Sequence, residues 1–94
     1  MADVFEALST PARRAILDEL HDKDGLTLFE LCTRLTTKHS LALTRQAVSQ
    51  HLEVLEEANL LSTKRQGRYK FHYLNTDPLQ AIVKRWLTPG KRGR

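Results

Sequence analysis

The chain of 94 residues is the size of one domain, and its 40% apolar and 28% charged residues exclude a disordered or fibrous protein. It lacks the apolar run of about 18 residues that a membrane span needs. Its one cysteine excludes an intramolecular disulfide and a multi-cysteine zinc site. The acidic N-terminus does not match a signal peptide. We therefore expect a cytoplasmic protein in a reducing compartment, with no membrane partner.

Charge is distributed unevenly along the chain. The formal net charge is +4, but residues 1–31 carry three bases and seven acids, whereas residues 32–94 carry twelve bases and four acids. A basic half on a small domain indicates a polyanionic partner, most simply nucleic acid, although a solvated charged surface gives the same composition. The pattern of the elements has to decide between these two interpretations.

The first third of the chain predicts two helices. An apolar stripe ends just before Thr10 and Pro11, which are suited to the N-cap and the first position of the next helix. The stripe comprises Val4, Phe5 and Leu8. The second helix has its apolar face at Ala12, Ile16, Leu17 and Leu20. A loop-like cluster at residues 22–25 is expected to end it.

The next segment predicts a third helix with a strong start signal. Thr27 and Glu30 match a capping box, in which each side chain bonds the backbone amide of the other residue. The buried face comprises Leu28, Leu31 and Leu35. We expect this helix to fray across the polar residues 36–40.

A fourth helix divides into two faces. Thr44 is suited to its N-cap, and Asn59 to the left-handed turn that closes it. The apolar face comprises Ala47, Val48, Leu52, Leu55 and Ala58. The polar face comprises Arg45, Gln46, Ser49, Gln50 and Glu53. An arginine and short hydrogen-bonding side chains near a helix start are what base readout in a major groove requires, although an ordinary amphipathic helix also has a polar face.

The apolar period then changes to two residues, which is typical of a strand. Alternation over residues 69–74 predicts a strand that pairs with residues 61–65 across Gln66 and Gly67, where Gly67 supplies the positive φ of a tight turn. Four cationic side chains surround the turn: Lys64, Arg65, Arg68 and Lys70. Such a hairpin can lie along a phosphate backbone, although charge also protects edge strands against aggregation.

Pro78 opens the last predicted helix, which Pro89 and Gly90 end. Its apolar stripe comprises Leu79, Ile82, Val83, Trp86 and Leu87. We expect residues 1–88 to form one domain and residues 89–94 to form a flexible basic tail. The predicted fold class is therefore mostly α with a small β-hairpin, in the order α-α-α-α-β-β-α, which is a winged helix-turn-helix.

Three segments carry a resemblance to a known family. Residues 44–61, TRQAVSQHLEVLEEANLL, resemble the recognition helix of the ArsR family of bacterial repressors. Residues 5–17, FEALSTPARRAIL, resemble the family's opening segment, and residues 67–74, GRYKFHYL, are similar to its wing. The resemblance spans roughly residues 3–87 and implies a sequence-specific, double-stranded DNA-binding transcriptional regulator that acts as a repressor.

The resemblance also implies a homodimer, in which the first and last helices form the interface and the two recognition helices meet a palindromic operator. The implied interface residues are Val4, Phe5, Leu8, Leu79, Ile82, Val83 and Trp86. A tryptophan near the end of a small domain agrees with this, since tryptophan is favoured as an interface anchor. The alternative is that the last helix packs on the core of its own subunit.

The expected DNA contacts divide into two groups. The residues expected to read base edges are Arg45, Gln46, Ser49 and Gln50. The residues expected to hold phosphates are Thr44, Lys64, Arg65, Arg68 and Tyr69. His51 either contacts a phosphate or is a packing residue.

The chain departs from the metal-sensing members of the family. These often carry a Cys-Val-Cys motif on the third helix, but here Cys32 is followed two residues later by Arg34, which has no lone pair to donate. Residues 78–88 contain no Asp, Glu, His or Cys for the family's other metal site. We therefore expect no metal and no cofactor. Cys32 is interpreted as a buried apolar residue, with a redox-active thiol as the alternative.

Two other functions stay open at this point. One is a metal- or thiol-responsive sensor of the same fold that uses Cys32, and the other is a protein-interaction winged helix without DNA readout. The basic wing and Arg45 argue against the second, because such a module has no need for cations in both places. No motif of an enzyme is present in the sequence, so we expect no catalysis. The pattern identifies neither an operator nor an inducer.

Overall fold

The computed structural model describes residues 3–87, which form five helices and a two-stranded hairpin in the predicted order. The helices are α1 (Val4–Ala7), α2 (Pro11–Asp22), α3 (Leu28–His39), α4 (Arg45–Glu57) and α5 (Asp77–Leu87). The strands are β1 (Leu61–Gln66) and β2 (Tyr69–Leu74). The predicted winged helix-turn-helix fold is confirmed. The expected basic tail at residues 89–94 lies outside the described residues. None of these five helices is long and apolar enough to cross a bilayer.

Three threonines begin the helices where the sequence predicts. The hydroxyl oxygens of Thr10 and Thr44 accept hydrogen bonds from the backbone amides of Arg13 and Ala47, at 3.2 and 3.0 Å. Thr27 and Glu30 form both halves of the capping box. Each cap satisfies an amide that has no partner within its own helix and thereby fixes the start of that helix.

The core lies where α2, α3 and α4 meet the base of the hairpin. Its fully buried side chains are Ile16, Leu20, Leu26, Leu31, Leu35, Val48, Leu55 and Leu60. These residues come from the predicted apolar faces and from the loops beside them. Burial of a side chain of this size stabilises the fold by about 1.5–3 kcal/mol, so this cluster holds α2, α3 and α4 together.

Helix α3 does not fray across residues 36–40 as expected, but continues to His39. The hydroxyl of Thr36 donates to the Cys32 carbonyl at 3.1 Å, and Lys38 and His39 both reach the carboxylate of Glu19 on α2. Ser40 then closes the helix at a φ of 55°. The polar residues of this run therefore have partners, which the sequence alone does not identify.

The hairpin is antiparallel, with its register running from Leu61 opposite Leu74 to Gln66 opposite Tyr69. Gln66 is therefore the last residue of β1 rather than a turn residue, and the two-residue turn is Gly67-Arg68, with Gly67 at a φ of 62°. Helix α5 begins at Asp77, so Pro78 lies in its first turn instead of opening it. The predicted end of α5 at Pro89 and Gly90 lies outside the described residues.

Three consecutive residues, Asp24, Gly25 and Leu26, join the α2–α3 loop to the hairpin. Leu26 forms an antiparallel bridge with His72, whose backbone amide donates to the Leu26 carbonyl at 2.9 Å. The His72 ring nitrogen Nδ1 bonds the same carbonyl, and burial lowers the pKa of this histidine. The hairpin is thus anchored at its base, while its tip extends from the core.

Candidate nucleic-acid interface

The start of α4 is fixed by its cap and by its buried face. Val48, Leu52 and Leu55 are buried against the core, so the opposite side of the helix faces solvent. The exposed side chains on that side are Arg45, Gln46, Gln50 and Glu53, and Ser49 is half-buried beside them. All four residues predicted to read bases therefore lie on the accessible part of α4.

The tip of the hairpin, the wing, concentrates positive charge. Its four cationic side chains are exposed: Lys64, Arg65, Arg68 and Lys70. The ring of Tyr69 is 57% exposed and lies 6.3 Å from the ring of Phe71. Side chains alternate between the two faces of a strand, so Lys64 and Arg65 point to opposite faces of the wing.

A groove of about 400 Å³ separates α4 from the wing. From α4 it is lined by Arg45, Ser49, Leu52, Glu53 and Glu56, and from the hairpin by Arg65, Arg68, Tyr69, Lys70 and His72. Five of the nine predicted DNA contacts thus share one cleft: Arg45, Ser49, Arg65, Arg68 and Tyr69. The other four are exposed outside it, with Gln46 and Gln50 on the neighbouring stripe of α4, Thr44 at its cap and Lys64 on β1.

Sequence reasoning missed part of this groove. Residues 27–29 at the start of α3 also line it, and the ring of Phe29 is 69% exposed there. Glu53 lies eight residues after Arg45 and so shares its stripe of α4, a spacing that could have placed it in the groove. Helical spacing also places Phe29 off the stripe formed by Leu28, Leu31 and Leu35, but it does not indicate that the exposed ring lines a groove.

Two carboxylates line the groove together with its cationic side chains. Glu53 and Glu56 lie along the middle and end of α4, and Glu56 accepts a hydrogen bond from the Thr63 hydroxyl at 3.5 Å. The cations lie at the start of α4 and on the wing. These cations attract a polyanion, and the two carboxylates oppose that attraction along the middle and end of α4.

His51 lies on the side of α4 that faces α1 and α2. Its Nδ1 accepts a hydrogen bond from the Arg13 guanidinium at 3.1 Å, and the residue is half-buried. Burial, together with the charge of Arg13, lowers the pKa of His51. The side chain is therefore a neutral packing partner of Arg13 in this structure.

The residues predicted for a dimer interface fall into two sets. Val4, Leu8 and Leu79 are half-buried and pack on the core of their own chain. The side chains of Phe5 and Trp86 are 50% and 57% exposed, and their ring centroids lie 6.0 Å apart. Val83 and Leu87 add to the same exposed apolar surface of α5, and Ile82 is half-buried.

Arg34, two residues after Cys32 on α3, has electrostatic partners on α2. The Arg34 guanidinium bonds Glu19 Oε1 at 3.0 Å and Asp22 Oδ2 at 3.3 Å, and so joins α3 to α2. Cys32 is half-buried beside the core, and burial raises the pKa of its thiol. Among residues 3–87 no group of three or more His, Cys, Asp or Glu side chains could hold a metal ion.

Comparison with known proteins identifies the family. A model described as a helix-turn-helix domain matches residues 8–63. The chain is 48% identical over 84 residues to an uncharacterized HTH-type transcriptional regulator, YuzN of Bacillus subtilis (strain 168), covering 89% of this chain and 91% of the relative. It is 34% identical over 87 residues to the transcriptional repressor SdpR of the same organism, covering 93% and 88%. The structure of an ArsR-like transcriptional regulator from Rhodococcus sp. RHA1 superposes with a TM-score of 0.75 at 29% identity, covering 87% of this chain and 69% of that one. The chain belongs to the ArsR-like winged helix-turn-helix family and is a DNA-binding transcriptional regulator.

Proposed function

We propose that the chain is a repressor that binds a palindromic operator as a homodimer, with α4 in the major groove and the wing on the phosphate backbone. The observation that carries this proposal is the groove that joins Arg45 and Ser49 of α4 to Arg65 and Arg68 of the wing. The similarity to a relative named as a transcriptional repressor supports repression rather than activation.

Each predicted contact has a chemical role in this proposal. The Arg45 guanidinium, in the first turn of α4, would bond O6 and N7 of a guanine, and Gln46 or Gln50 would bond an adenine. Ser49 is small enough to allow close approach of the helix to the bases. The residues that would hold phosphates are Thr44, Lys64, Arg65, Arg68 and Tyr69.

The exposed apolar surface of α1 and α5 supports a two-fold dimer. Phe5 and Trp86 form one aromatic pair at its centre, flanked by Val83 and Leu87. A second copy placed on this surface would remove it from water and would present two α4 helices about 34 Å apart, one turn of DNA. Residues 1–88 would then act as one functional unit, and the basic tail at 89–94 would add non-specific attraction to DNA.

This assignment needs no cofactor and no catalytic step. The family is one of transcriptional regulators, and the groove presents four cationic side chains that suit a polyanion: Arg45, Arg65, Arg68 and Lys70. A regulator of this kind acts on chromosomal DNA, so we place it in the cytoplasm.

Selection of duplexes from a random pool, followed by fluorescence anisotropy, tests the proposal. The duplex just upstream of the protein's own gene and a scrambled duplex run beside the selected one. We expect a palindromic consensus bound at least ~10³-fold more tightly than the scrambled duplex. Equal and weak binding to every duplex would contradict sequence-specific recognition.

Arg45→Ala is expected to relax specificity at one position of each half-site. The variant loses a bidentate contact, so binding to the consensus should weaken by about 1–3 kcal/mol per half-site. Anisotropy on a set of duplexes with single base-pair changes measures this. The wild type should discriminate at the contacted base pair and the variant should not. An equal loss of affinity on every duplex would show that Arg45 does not read a base.

Arg68→Ala is expected to weaken binding to all duplexes by a similar factor. Arg68 lies in the exposed turn of the wing, so its loss removes a phosphate contact without touching a base. The slope of log affinity against log salt should become shallower by about 1 per wing. The matched control is Arg14→Ala, which removes an exposed cationic side chain that does not line the groove. It should leave the slope unchanged.

A further inference from the structure

We propose that Arg13 is a positioning residue, which holds α4 against α1 and thereby sets the separation of the two reading helices in the dimer. The inference rests on the proposed function, because it takes α4 as the helix that reads DNA and the α1–α5 surface as the dimer interface. It adds a residue whose side-chain hydrogen bonds are made to Glu6, Ala7 and His51 of its own chain.

The guanidinium of Arg13 bonds three acceptors on two elements. Nε donates to the carbonyl of Ala7 at 2.9 Å, and Nη2 donates to the carbonyl of Glu6 at 3.1 Å, both at the C-terminal end of α1. Nη1 donates to Nδ1 of His51, in the middle of α4, at 3.1 Å. The backbone of Arg13 is itself fixed, since its amide bonds the capping hydroxyl of Thr10. The planar guanidinium on this fixed backbone therefore joins α1 to α4 with little conformational freedom.

The contact also defines the state of His51. A guanidinium only donates hydrogen bonds and keeps its charge, so Nδ1 must accept and the ring proton must lie on Nε2. Burial and the neighbouring positive charge both favour this neutral form. The imidazole is thus an acceptor dedicated to Arg13, rather than a cation available to a phosphate.

His51 is well placed to control readout, because Ser49 and Gln50 directly precede it on α4. Base-specific hydrogen bonds require the side chains to be held within about 0.5 Å of their productive positions. On its other side α1 carries Phe5, whose ring packs against that of Trp86 on α5. Contacts therefore run without a gap from the dimer surface through α1 and Arg13 to the centre of α4.

The variants are chosen to distinguish a positioning role of Arg13 from a purely structural role. Arg13 is half-buried and lies outside the apolar core, so its replacement by lysine keeps the charge and the alkyl stem while it removes the planar guanidinium. Arg14 offers a matched control, because its guanidinium donates to the Leu8 carbonyl at 2.6 Å in the same α1–α2 corner and its side chain faces solvent.

The test compares the variants Arg13→Lys, His51→Ala, His51→Gln and Arg14→Lys by anisotropy, at a temperature where thermal melts show every variant folded. The probes are the selected duplex, versions with half-sites moved by one base pair, and a scrambled duplex. We expect Arg13→Lys and His51→Ala each to weaken binding to the selected duplex about tenfold and to flatten the dependence on half-site spacing. Binding to the scrambled duplex should stay within about twofold of wild type.

Two further results complete the prediction. His51→Gln keeps an acceptor for Arg13 and should retain wild-type binding, as should Arg14→Lys. The double variant Arg13→Lys/His51→Ala should bind no more weakly than the weaker of the two single variants, because both substitutions break the same hydrogen bond between Arg13 and His51. Additive losses, equal losses on selected and scrambled duplexes, or wild-type binding by Arg13→Lys would overturn the inference. A wild-type protein that prefers no duplex would instead overturn the proposed function beneath it.

Discussion

Replacement of Glu19 by glutamine is expected to lower the free energy of unfolding by about 2–4 kcal/mol, the range for removal of one member of a buried ionic cluster. Glu19 is 5% exposed on α2, and it accepts from Arg34 at 3.0 Å, from Lys38 at 3.3 Å and from His39 at 2.8 Å, all on α3. The amide would leave these donors facing a neutral group. The cost stays below the upper limit for a buried ion because Lys38 remains half in water.

The same cluster gives a pH signature. Burial alone would raise the pKa of Glu19, but the hydrogen bonds from His39, Arg34 and Lys38 outweigh it and hold that pKa below its ordinary value of 4.5. A carboxyl whose pKa is lower in the folded state contributes stability that is fully present above pH 4.5 and is lost as the pH falls through the folded-state value. Denaturant unfolding should be measured at several pH values. The difference in the free energy of unfolding between wild type and Glu19→Gln should decrease only in acid.

Asp18→Asn provides the control for this experiment. Asp18 is the neighbouring residue on α2 and is exposed, so the substitution removes the same charge at the surface. We expect a change within about 0.5 kcal/mol, as for most surface substitutions. A Glu19→Gln variant as stable as Asp18→Asn would show that the cluster does not hold α2 to α3.

The elements that depend on neighbouring residues were predictable from the sequence. The caps at Thr10, Thr27 and Thr44 act within three residues, and the positive φ of Gly67 follows from the tight turn between two strands. The apolar period fixed the buried face of α4 and therefore its exposed face. These local signals were enough to place the four candidate base-reading residues on an accessible surface.

Features that depend on distant pairing were not predictable in the same way. The polar sequence at the end of α3 predicts a frayed helix. In the structure His39 bonds Glu19, which lies twenty residues earlier in the chain, and the helix continues. Leu26 and His72 are separated by 46 residues, and nothing local indicates that their backbones pair. Long-range pairs of this kind are set by the packing of whole elements, which one sequence without its fold does not specify.

The candidate site shows the same division. Arg45 and Ser49 were found because they share a helix stripe, and the wing cations because they flank a turn. Phe29 was missed as a groove residue, since its position there depends on how the start of α3 meets the wing. The partner of His51 was missed because Arg13 lies 38 residues earlier in the chain.

For the proposed homodimer, Trp86→Asp is expected to convert the protein to a monomer. The substitution replaces the most voluminous apolar group of the exposed α1–α5 surface with a charge, and a buried unpaired carboxylate is strongly unfavourable at an interface. Sedimentation analysis of the free protein measures the change directly. Ala81→Asp is the matched control, because it places the same charge on the opposite side of α5 from Leu79, Val83 and Trp86, and it should remain as dimeric as the wild type.

The DNA affinity of the monomer then tests whether the two α4 helices act together. Two linked half-site contacts gain about 10²–10⁴ in affinity over one, because the second binds at a high effective concentration. Trp86→Asp should therefore bind the full palindrome at least ~100-fold more weakly than the wild type. Its affinity for a duplex with one half-site should stay close to that of the wild type, since α4 and the wing are intact. A Trp86→Asp protein that is still dimeric would show that the interface does not include this face of α5. A monomer that binds the palindrome with wild-type affinity would show that one subunit is sufficient for recognition.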